Sequence, residues 1–202
     1  LISGCIDTQK VHISSAIASG YKYMLIVTSD EAKARKMCDD ASFFNKEAIY
    51  YPAKDAIFYS ADVHGNQITG ERLRCISRII NHSSTGEGVL TVVTTMDGIA
   101  DRLIPVERFK EAVITLDYSS EIEPEKLAKK LVAMGFVRTG MVEDKGQFAI
   151  RGGIIDIFSY TDEAPVRIEL WDTEVDSIRM FDVESQRSIE RLQSYSIFPA
   201  TE

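Results

Sequence analysis

The spacing most suggestive of chemistry stands at the start of this 202-residue chain, where Gly4-Cys5-Ile6-Asp7-Thr8-Gln9-Lys10-Val11 runs directly into a helical pattern. A phosphate-cradling loop needs Gly-x-x-x-x-Gly-Lys-Ser/Thr before a helix. Its glycines let backbone amides wrap the phosphates, its lysine neutralises charge, and its hydroxyl holds Mg²⁺. Gly4 and Lys10 occupy two of the four fixed positions, while Gln9 replaces the second glycine and Val11 the hydroxyl. Val11 removes a metal ligand, Gln9 puts a Cβ where glycine's freedom is wanted, and Asp7 sets negative charge beside the phosphates. The expectation is a degenerate, non-functional loop with no measurable ATP affinity. Asp30-Glu31 after an apolar run resembles the acidic pair of an ATPase. Capping of the helix opening at Ser29 accounts for both residues without it.

A second set lies far along the chain. In Val166–Trp171, Val166, Ile168 and Leu170 alternate with Arg167, Glu169 and Trp171. Side chains two apart on a strand share a face, so the aliphatic set faces a core and the other three span about 13 Å of open face. The chain's only tryptophan is thereby expected in the open beside an arginine, two residue types enriched at interface hot spots. Arg151 precedes Gly152-Gly153, where a bulge would aim it onto the same face. The alternative is a half-buried Trp171 with the arginines as solvated ion-pair partners. A third set, Arg72, Arg74 and Arg78 with His82 near the end of the same helix, offers direct DNA binding. Glu71 within reach favours a solvated helix face instead.

No other chemistry stands out. His12, His64 and His82 lack metal-ligand spacing, and nothing resembles Gly-x-Ser-x-Gly. Cys5, Cys38 and Cys75 are odd in number and widely spaced, which reads as free thiols in a reducing cytoplasm. The net charge is −8, against a strong general nucleic-acid binder. No apolar run approaches a membrane-spanning length and no signal peptide is visible. The chain opens on Leu1, which reads as a piece of a longer protein.

The elements that would position these residues fall into two parts. Residues 1–117 alternate helices (8–19, from 29 to about 44, 66–81) with strands (21–28, 48–51, 88–94, 112–116), and 21–28 reads as buried on both faces. Such alternation implies a mainly parallel sheet covered by helices, an α/β domain. Residues 118–202 begin with an amphipathic helix, 124–134, after which the period falls to two in 147–151, 154–158, 165–171, 175–181 and 189–198. This predicts a small α+β domain with an antiparallel sheet. The net charge is −2 over the first part and −6 over the second.

The second part also carries a resemblance. Phe148-Ala149-Ile150-Arg151-Gly152-Gly153-Ile154-Ile155-Asp156-Ile157-Phe158, Val166–Asp172, Glu174–Arg179, Phe181–Arg187 and Ile197-Phe198-Pro199-Ala200 together resemble the N-terminal, UvrB-homologous region of the bacterial transcription-repair coupling factors. Tyr51-Pro52 through Arg74, with its Glu-Arg-Leu, fits the same family. UvrB itself, an excinuclease subunit, is the alternative. It would carry an intact phosphate loop and a tyrosine-rich hairpin, whereas between Pro52 and Asn66 the aromatics are only Phe58 and Tyr59.

The resemblance implies a RecA- or Rossmann-like domain over 1–117 with a dead nucleotide site, and a UvrA-binding module over 118–202. It implies that Arg151 and Arg167 match arginines that contact UvrA, and that Trp171 stands where the family can carry Phe. It further implies a non-catalytic, cytoplasmic piece with no cofactor of its own. ATP and Mg²⁺ would serve a translocase motor elsewhere in the full protein, and RNA polymerase and DNA would engage other domains.

Overall fold

Short runs of β-branched residues set the first sheet, and a single buried stripe sets each helix laid over it. The computed structural model describes residues 3–45, 47–54, 62–85 and 88–201. Its contacts divide the chain into two units, Leu1–Leu103 and Ile104–Glu202.

The first unit runs α1 (Asp7–Ala18), β1 (Tyr23–Thr28), α2 (Glu31–Ser42), β2 (Ala48–Tyr51), α3 (Asp62–Thr85), β3 (Leu90–Thr95) and α4 (Met96–Ala100). Its three strands are parallel, in the order β1-β3-β2. Asp30 caps α2, its side chain accepting from the Lys33 amide at 2.9 Å. That bond, first among its causes, holds the Asp30 carboxyl below its usual range. Val11, Ala34, Met37, Cys38, Ala41 and Val93 form one buried cluster under α1 and α2. The expectation that β1 is buried on both faces is corrected. As the sheet's edge it alternates, and Tyr23, Leu25 and Val27 are exposed, Leu25 by 60%. The parallel sheet with covering helices matches the α/β reading, but three such strands are common to many α/β folds and do not single out a RecA-like one. Residues 55–61, within the stretch on which the tyrosine-rich hairpin was judged, lie outside the described residues.

The second unit runs α5 (Val106–Ala112), β4 (Ile114–Asp117), α6 (Pro124–Ala133), β5 (Val137–Arg138), β6 (Gln147–Arg151), β7 (Ile154–Phe158), β8 (Val166–Trp171), β9 (Glu174–Phe181), β10 (Ser188–Arg191) and β11 (Ser194–Ile197). Pro124 suits the first turn of α6, where its missing N–H costs nothing. Six strands form one sheet in the order β10-β9-β8-β7-β6-β5, antiparallel except for the β5–β6 pair. Its inner face (Phe148, Ile155, Ile157, Val166, Ile168, Ile178) packs with Leu127 and Leu131 of α6. Burial of each such side chain contributes about 1.5–3 kcal/mol.

Two expectations change here. The run read as one strand over 189–198 is two: β10 stays on β9, while β11 pairs antiparallel with β4. That pairing draws Ile114–Asp117 into the second unit, so the division falls at 103/104 and not at 117/118. The partner of β4 stands some eighty residues away, a relation that local periodicity cannot carry. Among the described residues no helix is long and apolar enough to cross a membrane.

Candidate functional site

The outer face of the six-stranded sheet carries the residues singled out by alternation. Arg167 lies directly opposite Arg179 on β9, a like-charge pair that would repel on an open sheet. Each is given its own carboxylate. Arg179 Nη2 donates to Glu169 Oε1, and Ser177 Oγ donates to Glu169 Oε2 at 2.8 Å. Arg167 donates from Nε to Asp156 Oδ1 at 2.6 Å and from Nη2 to Asp156 Oδ2 at 2.9 Å, a bidentate fork. The same Nη2 reaches Gln186 Oε1 at 2.8 Å, and the guanidinium carbon sits 4.3 Å from the centre of the Phe181 ring. Hydrogen bonding to Asp156 raises the Arg167 pKa above its ordinary value.

Arg151 completes the group by donating from Nη2 to Asp156 Oδ2 at 2.6 Å. Asp156, 1% exposed, thus gathers two guanidiniums, which a carboxylate withdrawn from water requires. No bulge aims Arg151 here. It pairs with Ile154 across the two-residue turn Gly152-Gly153, with Gly152 at φ +61°. A Cβ on Gly153 would stand 2.9 Å from the Leu170 carbonyl oxygen, so glycine allows this turn to close against the end of β8. The register shift lies instead between β8 and β9, where Asp176 of β9 is the extra residue opposite the Glu169–Leu170 step. Just beyond it Trp171 is 80% exposed.

Alternation therefore places Trp171 correctly in the open; Arg151 is on the same face but by strand register and not by a bulge; and the open placement of Arg167 is corrected. Its side chain is only 13% exposed, whereas that of Arg151 is 44% exposed. Asp156 and Gln186 were missed. A lone carboxylate inside Ile154-Ile155-Asp156-Ile157-Phe158 was the available signal, since a buried charge demands a partner.

The opening segment is arranged otherwise. Helix α1 begins at Asp7, so Asp7, Thr8 and Gln9 lie in its first turn and not in a wrapping loop. Gly4 has φ +79°, and Gln9 Oε1 accepts from the Ile6 amide at 3.2 Å. Lys10 Nζ donates to Asp7 Oδ1 at 3.0 Å, which holds the Asp7 carboxyl below its usual range. Val11 is fully buried.

With both geometries described, the relatives can be placed beside them. Residues 114–202 match the family model of the UvrB interaction domain. Over all its residues the chain is 38% identical to the transcription-repair-coupling factor of Bacillus subtilis strain 168. It is 35% identical to those of Staphylococcus aureus strains Mu50 and USA300. Over its whole length the chain is a homologue of the transcription-repair-coupling factors. It spans 17% of the length of each of these relatives. The Arg151–Asp156–Arg167 group and Trp171 all fall inside the matched UvrB interaction domain.

The third candidate set is corrected. Arg72 is fully buried: Nη1 donates to the Pro52 carbonyl at 2.7 Å, lies 3.3 Å from Asp101 Oδ2, and the guanidinium covers the Tyr51 ring at 4.4 Å. His82 is buried between the Lys22 carbonyl, at 3.2 Å, and Glu47, at 3.3 Å. Of the four, only Arg74 and Arg78 remain on the surface of α3. Among the described residues no cluster of three His, Cys, Asp or Glu suits a metal ion.

Proposed function

We propose that this chain is a recruitment region of a transcription-repair-coupling factor, which docks the damage-recognition ATPase UvrA through the outer face of its second unit. It would thereby bring excision repair to RNA polymerase stalled at a lesion, in the cytoplasm. The observation that carries the reading is an exposed indole and a half-exposed guanidinium at one end of a sheet face within the UvrB interaction domain. A solitary exposed Trp has no folding role to explain it, and Trp with Arg is the usual make-up of a binding hot spot.

The region acts without catalysis. Lys10 spends its charge on Asp7, and Val11 is packed in the core, which supports a dead nucleotide site. ATP and Mg²⁺ would serve a motor elsewhere in the longer protein, and polymerase and DNA would engage other domains. Calorimetric titration of the chain with UvrA tests the reading. Arg151→Ala and Trp171→Ala should each weaken binding by about 1–3 kcal/mol with the chain still folded at the titration temperature, and unchanged affinity in both counts against it. Direct DNA binding, left with Arg74 and Arg78, would instead show as a steep salt dependence of DNA affinity without UvrA.

A further inference from the structure

Donor counting divides the two arginines of the docking face into different roles. A guanidinium carries five N–H groups on three nitrogens. Arg167 commits two of those nitrogens to Asp156 and Gln186 and lays its flat face on Phe181. It is held on three sides and largely covered. Arg151 commits one nitrogen, Nη2, and its side chain is 44% exposed. Its Nε and Nη1, with three N–H groups between them, make no bond to the described residues. One carboxylate also cannot balance two guanidiniums, so the group keeps one positive charge, while the neighbouring Arg179–Glu169 pair is balanced.

We infer that Asp156 is the positioning residue of the docking face: it fixes Arg167 within the sheet and steadies Arg151 by one nitrogen, so that Arg151 meets a carboxylate on the partner beside an apolar slot that takes Trp171. This rests on the UvrA reading and adds to it which arginine touches UvrA and what chemistry it meets there. The outward edge of a guanidinium forks onto a carboxylate in two parallel bonds, a fit that a lysine's point charge lacks. The fork discriminates only if the guanidinium plane is held before contact, and the 2.6 Å bond to a carboxylate that is itself locked by Arg167 supplies that restraint.

The test is a double-mutant cycle on the whole chain, with UvrA affinity read by calorimetry and folding by melting temperature. Arg151→Ala should weaken binding about tenfold or more. Asp156→Asn should weaken it about fivefold, and the two together should be no weaker than Arg151→Ala alone, because Asp156 acts through Arg151. Losses that multiply overturn the inference, as does Asp156→Asn lowering the melting temperature while affinity stays within twofold. If Asp156→Asn fails to fold, the cycle is run with Asp156→Glu, which keeps the charge and moves the oxygens by one methylene, under the same criterion. A wild-type chain that does not bind UvrA overturns the docking reading and this inference together. A wild type that binds with Asp156 uncoupled from Arg151 overturns the inference alone.

Discussion

The opening segment of the first unit and the outer face of the second both offer charged residues at suggestive spacing, and they spend them in opposite ways. At the start of the chain the lysine and the amide that precedes the helix are answered within one helical turn. Lys10 is answered by Asp7 three residues earlier, the Ile6 amide by Gln9, and Val11 by the core. On the outer face the partners come from five and eleven residues away across strands, and the sum does not close: two guanidiniums converge on one carboxylate, and an indole at the end of β8 stands in water. Matched local spacing here marks a helix start. An unbalanced set brought together by sheet register marks a surface that expects something else.

The largest test of that contrast is Arg167→Ala. Asp156 would lose its bidentate partner at 1% exposure, and breaking such a buried pair costs about 3 kcal/mol. Urea unfolding of the second unit should show that loss. A change below about 0.5 kcal/mol, the scale of a solvated surface pair, would erase the distinction drawn between Arg167 and Arg151. Next in size is Val11→Ser, which restores the hydroxyl of a phosphate loop. Val11 packs with Ala34, Met37 and Val93, so removing its methyls and burying a hydroxyl should cost the first unit about 2 kcal/mol. Combined with Gln9→Gly, it should bring no ATP affinity, because Asp7 still holds Lys10. Micromolar binding by calorimetry would break the comparison at its other end.

How far the sequence reached follows the same line. Strands β6 and β7 were legible at their observed bounds, since alternation and the Gly152-Gly153 turn are local signals. The exposure of Trp171 followed from parity alone. Arg167 was misjudged because parity tells which face a side chain takes and not what else is on it. Asp156, opposite Arg167 in the register, covers what parity left open. The β4–β11 pair, and with it the unit boundary, depended on residues 114 and 197 meeting. Arg72 was grouped with Arg74 and Arg78, which are four apart and share a helix face, and that spacing says nothing of the buried Pro52 carbonyl and Tyr51 ring that claim Arg72.

The smallest effect separates the two units by pH. Burial pushes the Cys38 thiol up to about 11 and the Cys75 thiol up to about 12, both in the first unit. In the second, burial with Asp162 alongside raises Tyr195 well above the ordinary phenol value. Each group ionises more readily unfolded than folded. Its contribution is therefore complete below the unfolded pKa, about 8.5 for a thiol and about 10 for a phenol, and is lost as pH rises toward the folded value. The first unit should begin to weaken near pH 9, and the second only above about 10, which amide exchange followed strand by strand would resolve. At pH 8 a thiol reagent should titrate one fast cysteine in the native chain, the partly exposed Cys5, and three in denaturant. Fast reaction of Cys75 would mean that the first unit opens locally around α3, and the ranking of the two units by alkaline sensitivity would then report that opening and not the buried thiols.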